Sequence, residues 1–239
     1  DNISFLADPW ALPDKLRLYN YQVAWEEGIQ NYMVNSILIT VVTVCFVILL
    51  SCTFSFMLAR FPFKGSGILI GLFFVGMMIP VHCTLIPLYN MMNMAGLIDH
   101  LWALLFPYVA SSLPIAVFLT YGHYQQLPKE LEEAARIDGC SVTGMFFRVF
   151  LPLSKPVIST ISILTALSAW NEFMFANVFL SDPNQKTLPI GLLALKGTYS
   201  TDYAALCAAL TMSAVPIILV YVLMSNKIQS GMVAGAVKS

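Results

Sequence analysis

Five long apolar runs, at roughly 35–59, 67–91, 102–124, 156–179 and 204–225, decide what this chain can fold into. Each lacks Lys and Arg, and only the fourth contains an acid, Glu172. A helix crossing the hydrocarbon core of a bilayer needs about 20 mainly apolar residues. Runs so long and so many exceed what the core of a soluble domain absorbs. The expected fold is all-α and integral to a membrane, with five transmembrane helices. Composition agrees: 58% of the residues are hydrophobic and only 10% are charged, against about 25% charged in soluble domains. A net charge of −1 supplies no basic field for nucleic acid. The lipid bilayer is the expected surrounding, and nucleic acid is excluded as a partner.

The basic residues orient the runs, because cytoplasmic loops retain Lys and Arg. Arg60 and Lys64, then Lys129, Arg136, Arg148 and Lys155, then Lys227 and Lys238 fall on one side; Lys15, Arg17, Lys186 and Lys196 fall on the other. The reading is an extracytoplasmic segment 1–34 with interfacial aromatics, a transmembrane domain 35–225 and a cytoplasmic tail 226–239. The loop 125–155 is then cytoplasmic too. Pro80, Pro87, Pro107, Pro114 and Pro216 lie in or beside spans. A proline frees a helix carbonyl that neighbouring helices or water must satisfy, which suits a cavity-lining bundle; proline is also simply common in membrane helices. The five cysteines are scattered without metal-ligand spacing and read as small packed hydrophobes. No signal peptide is visible, and the opening Asp1 points to a missing N-terminal piece.

Between the third and fourth runs lies LPKELEEAARIDGCSVTGMFFRVFLPLSKP, residues 127–156. Pro128 suits a first helical turn, and Glu130, Glu132 and Glu133 favour the positive end of that helix. Glu132 and Arg136 form an i,i+4 pair of the favoured order. Gly139 supplies a stop, and Ser141 or Thr143 can cap a second helix with an apolar stripe of Met145, Phe146, Val149 and Phe150. Ala134 and Ala135 leave a flat patch for a partner. A bare linker needs only a few residues; this loop spends about thirty, and its two readings are a surface connection and a partner-docking unit, of which the family resemblance below implies the second.

The spacing Glu133-Ala134-Ala135, Gly139, Leu151-Pro152 resembles the docking loop of bacterial ABC-importer permeases, the EAA motif. Ile79-Pro80, Leu85-Ile86-Pro87-Leu88-Tyr89, Trp170-Asn171-Glu172-Phe173, Thr187-Leu188-Pro189-Ile190-Gly191-Leu192 and the tail from Gly231 to Lys238 extend the resemblance over essentially the whole chain. Together they resemble the maltose-type carbohydrate permeases, and within them the second, six-helix subunit. The resemblance implies a type I ABC-importer helical bundle whose first helix is absent from this sequence. It further implies a homologous second permease subunit, two ABC ATPases that hold the ATP and Mg, and an extracytoplasmic sugar-binding protein. This chain itself would bind no cofactor. The cell membrane would be bacterial or archaeal. Glu133, Ala134, Ala135, Arg136, Ile137, Asp138 and Gly139 become the expected ATPase-coupling helix. Gly231, Ala234, Gly235 and Lys238 become a second expected ATPase contact.

Inside the spans, Trp170, Asn171, Glu172 and Phe173 are candidates for the translocation pathway. A charge in a span usually faces the bundle interior or water, so Glu172 either meets sugar hydroxyls or makes a structural hydrogen bond. His82 reads as packed rather than as a ligand. No phosphate-cradling glycine loop, metal cluster or nucleophile–base pair is visible, so an enzyme is not expected. A permease for a non-sugar solute remains the rival; a secondary transporter or a membrane scaffold would leave the EAA spacing unexplained.

Overall fold

In the computed structural model the described residues are Ala7, Asp8, Trp10, 17–195 and 202–236. They are helical, with no strand among them. Helix α1 (Tyr19–Ala24) leads through a widened turn, kinked at Gly28, into α2 (Gln30–Arg60). The helix that carries the first run thus begins before residue 35, within the segment 1–34. The cause is packing: Ala24 and Ile29 are fully buried beside Trp170, Leu188, Ala208 and Ala209.

The second run is not one straight span. Helix α3 (Ser66–Met78) stops at Ile79-Pro80, and after a short 3₁₀ turn α4 (Leu85–Met94) leaves at a bend of 96°. Extended backbone at Ile79 and Pro80 makes the break, as a proline that cannot donate to the preceding turn allows. The third run is α5 (Leu105–Gln126), entered through a 3₁₀ turn at Leu101–Leu104 and carrying Pro114 inside it. The loop that follows folds as α6 (Glu130–Ile137) and α7 (Val142–Leu153). At Ser154 the chain turns by 74° into α8 (Lys155–Trp170).

The fourth run is also interrupted. Its helix ends at Trp170, and α9 (Met174–Phe179) starts after a three-residue break. Beyond it come α10 (Leu188–Ala194) and α11 (Tyr203–Ala236). Three helical stretches are long and apolar enough to span alone among the described residues, or up to five if each bent pair is one span.

Helix α2 is the centre of the bundle, packed along α5 and α8; α11 lies on α8 and α1, and α3 on α5. Ser36, Thr40, Thr43, Ser51 and Ser55 recur at helical spacing on the buried face of α2. Small side chains let helix backbones approach closely where no hydrophobic effect drives them together. The Ser55 hydroxyl donates to the Val117 carbonyl of α5 at 3.1 Å. The outer faces carry Val41, Leu49, Leu72, Phe106 and Ile218, all exposed, as lipid-facing surfaces require.

Candidate functional site

One end of the bundle gathers the C-termini of α2 and α5 with α6 and α7. Phe56, Tyr124, Phe146 and Phe150 form an aromatic cluster there, with Phe56 5.0 Å from Phe150 and 5.2 Å from Phe146 between ring centres. Helix α6 is built on it. Its first turn carries the three expected acids, and its last turn closes on Gly139, where φ is +75°. The Gly139 N–H donates to the Arg136 carbonyl at 3.0 Å and the Cys140 N–H to the Ala135 carbonyl at 2.9 Å. This paired closure needs a left-handed residue, the conformation glycine adopts without penalty. Of the two candidate caps for the second helix, Ser141 takes the role: its hydroxyl accepts from the Gly144 N–H at 3.1 Å.

The expected Glu132–Arg136 pair does not form. Glu132 turns inward and meets Arg60 of α2 at 3.1 Å, while Arg136 lies over the Phe61 ring at 5.9 Å. An exposed i,i+4 pair contributes only about 0.3–0.5 kcal/mol, too little to hold Glu132 out of the sheltered site. Ala135 is a second correction. It is buried against the chain's own aromatic cluster and so is no part of an outward patch. Glu133, Ala134, Arg136, Ile137, Asp138 and Gly139 do face outward, and Ile137 is 86% exposed. Met145, Phe146 and Phe150 of the second helix point inward; Phe147 and Val142 point out. Of the tail residues, Gly231, Ala234 and Gly235 lie within α11; Lys238 is outside the described residues.

The four candidates at 170–173 are adjacent in sequence but separated in space. Trp170 is buried beside Tyr32, Leu188 and Ala208. Asn171 is exposed, and its side-chain N–H donates back to the Leu167 carbonyl at 2.8 Å. Phe173 is also exposed. Glu172 alone of the four faces a cavity of about 290 Å³, lined by Tyr108, Ser111, Ser112, Thr165 and Ser168. His82, expected to be packed, is exposed on the same cavity wall. The Glu172 carboxyl accepts from the Tyr108 hydroxyl at 2.8 Å and from the N–H groups of Phe175 at 2.8 Å and Ala176 at 3.2 Å. It caps α9 and ties that helix to α5, so the structural hydrogen bond is present, and it is made within the chain to a broken backbone.

The opposite end is fastened by polar loops. Asp99 accepts from the backbone N–H groups of Ser181 and Asp182, which hold its carboxyl below the usual carboxylate range. The Asn35 side chain donates to the carbonyls of Asn184 and Lys186, and Ser36 accepts from the Leu188 N–H. Gly191 sits against the Tyr32 ring so closely that a Cβ there would stand 2.1 Å from a ring carbon.

Neither Arg60 nor Tyr108 was given a site role by the sequence. A lone Arg closing an apolar run was the available signal for the first; the second has none, because its partner is far away in the chain.

Residues 51–230 match the family model of the binding-protein-dependent transport system inner membrane component. The probable ABC transporter permease YurM of Bacillus subtilis is 41% identical over 96% of this chain and 76% of its own length. The diacetylchitobiose uptake system permease NgcG of Streptomyces coelicolor is 33% identical over 96% of this chain and 77% of its own. In fold, the chain is similar to a chain in the crystal structure of a bacterial ABC transporter involved in the import of the acidic polysaccharide alginate. The TM-score is 0.80 at 22% identity, covering 90% of this chain and 81% of that one.

Proposed function

The chain belongs to the family of binding-protein-dependent transport system inner membrane components, and on that premise we propose that it is a permease subunit of an ATP-driven importer of oligosaccharides. ABC importer permeases work with a second permease, ATPases and a substrate-binding protein. Here the second permease is a homologous but different subunit, the ATPases are two, and the binding protein carries a sugar. The observation that carries the reading is the shape of the 127–153 loop. A short helix is stopped by Gly139 and seated on an aromatic base, and it turns Ala134, Arg136, Ile137 and Asp138 outward. An 86% exposed Ile137 at the tip of a polar loop fits a cleft on a partner protein better than water. The EAA loop and the C-terminus face the cytoplasm in this reading, in agreement with the excess of bases on that side.

ATP closes the ATPase pair, and the loop helix, seated on one of them, passes that movement into the bundle. The cavity beside Glu172 then alternates in access. Its hydroxyls from Ser111, Ser112, Thr165 and Ser168 suit a polyhydroxylated solute. The sugar reading is supported by the name of the relative that takes up diacetylchitobiose.

The test is ATP hydrolysis by the complete purified complex in lipid, with and without binding protein, across a panel of α- and β-linked di- to pentasaccharides. Stimulation by one sugar class is expected. Stimulation only by a non-sugar solute would keep the permease and overturn the sugar; absence of any associated ATPase would overturn both.

A further inference from the structure

Arg60 ends α2, and its side chain is only 5% exposed. Three different elements meet its guanidinium. One amino group donates to the Leu127 carbonyl, where α5 has just ended, at 2.6 Å. The other is paired with Glu132 of α6 at 3.1 Å. The guanidinium carbon Cζ lies over the Phe150 ring in α7, 5.0 Å from its centre. The negative end of α2 favours a cation at this position. A guanidinium can serve all three partners together because its donors form a rigid fork and its face stacks on aromatic rings.

We infer that Arg60 is a positioning residue of energy coupling: it makes the docking loop and the first span move as one body. The inference rests on the permease reading, but not on which solute is carried. The chain already joins α6 to α5 through Leu127 and α7 to α8 through Ser154. It gives α2 no such bond to the loop, since α2 and α6 are far apart in sequence. The Arg60 side chain provides it, and Phe56, one turn earlier, backs it with rings of Tyr124, Phe146 and Phe150. Movement imposed on α6 by a docked ATPase thereby reaches α2, the central helix, directly. Without the clamp, α6 can rock on its aromatic base while α2 stays behind.

The experiment compares the parental complex with Arg60→Met, Glu132→Gln and Arg60→Lys in liposomes. All are assembled with the partner permease, ATPases and binding protein. Two quantities are read: subunit stoichiometry, and solute imported per ATP hydrolysed with the same oligosaccharide panel. Arg60→Met and Glu132→Gln are each expected to lower the import-to-hydrolysis ratio at least fivefold with stoichiometry unchanged. Arg60→Lys, which keeps the charge but not the fork, falls between. Glu132→Gln removes one charge with little change of shape, so it decides the matter even if Arg60→Met fails to assemble. A parental ratio in either assembled variant would overturn the inference. So would transport lost only in proportion to ATPases missing from the complex. A parental complex with no solute-stimulated hydrolysis would instead fail the importer reading, and the parental arm alone decides that.

Discussion

Gly139 is the position where the chain's own needs and those of the proposed ATPase contact can be separated. Its φ is +75°, and a Cβ built there meets nothing within 4 Å. Inside this chain, therefore, a side chain at 139 costs only backbone strain. For an L residue the left-handed region costs roughly 1–2 kcal/mol, less for Asn, whose short polar side chain tolerates it. At about 1.4 kcal/mol per factor of ten, the closed turn loses roughly 5- to 30-fold in population. A β-branched residue sits at the upper end. If the turn is what coupling needs, the series Gly139→Asn, Gly139→Ala, Gly139→Val should lose transport in that order. Asn should stay within a few-fold of the parent and Val should approach the upper limit. Solute-stimulated hydrolysis by the reconstituted complex measures it, with membrane levels of the subunit as the control. Normal activity of Gly139→Val at normal levels would refute the coupling role. Asn as damaging as Val would show that the partner's surface, and not φ, demands glycine here.

At the other end of the bundle, Gly191→Ala should lower the thermal midpoint of the purified complex. The new methyl would stand 2.1 to 2.7 Å from the root of the Tyr32 ring, and overpacking of this kind costs about 1–3 kcal/mol. Adding Tyr32→Leu should recover part of the loss; an unchanged midpoint in Gly191→Ala would contradict the close approach. Glu172→Gln leaves one strong acceptor for three donors, and an unsatisfied buried donor costs about 1–3 kcal/mol. Reduced thermal stability, with a smaller loss in Tyr108→Phe, is the expected result. A change of sugar preference without loss of stability would favour a direct substrate contact instead. The Asp99 carboxyl, held below its ordinary pKa by the Ser181 and then the Asp182 N–H, stabilises its loop above the unfolded pKa and loses that effect only as pH falls through the lower folded value. Protection of the Ser181 and Asp182 amides, taken relative to their intrinsic exchange rates, should hold from neutral pH through the ordinary carboxylate range and fall as pH drops through the lower folded value. Asp99→Asn should lower that protection already at neutral pH.

Hydropathy alone located the apolar runs, because lipid demands length and apolarity whatever the neighbours are. It could not show where they break. Pro80 marked one break, and α3 and α4 part there by 96°. The break at Asn171 had no such mark, since Phe173, Met174 and Phe175 continue the apolar pattern past it. What ends α8 there is accompanied by the Glu172 carboxyl taking the first N–H groups of α9, with Tyr108, on another helix, as its third donor. In the 127–153 loop the local signals for Gly139 and Ser141 were enough, since capping is settled within a few residues. The Glu132–Arg136 pairing was misread because local spacing competes with a buried site that only the fold creates. Ala135 was misread for a related reason: the motif lists adjacent residues, but the helical turn sends Ala134 outward and Ala135 into the aromatic cluster.

These placements give the loop three mechanical routes into the bundle, the first being the chain itself where α5 passes through Leu127 into α6. The second is also covalent: α7 continues through the buried Ser154 into α8, whose 16 residues span about 24 Å at 1.5 Å per residue. At its far end stands Glu172, on the cavity wall and fastened to α5 through Tyr108. The third is the Arg60 clamp, which reaches α2 without a chain connection. A loop held only at its two chain ends can pivot about the line joining them, while a third attachment off that line, at α2, converts the same push into a tilt of the whole. On the proposed coupling role, loss of Arg60 should therefore leave ATPase docking intact while the cavity no longer follows.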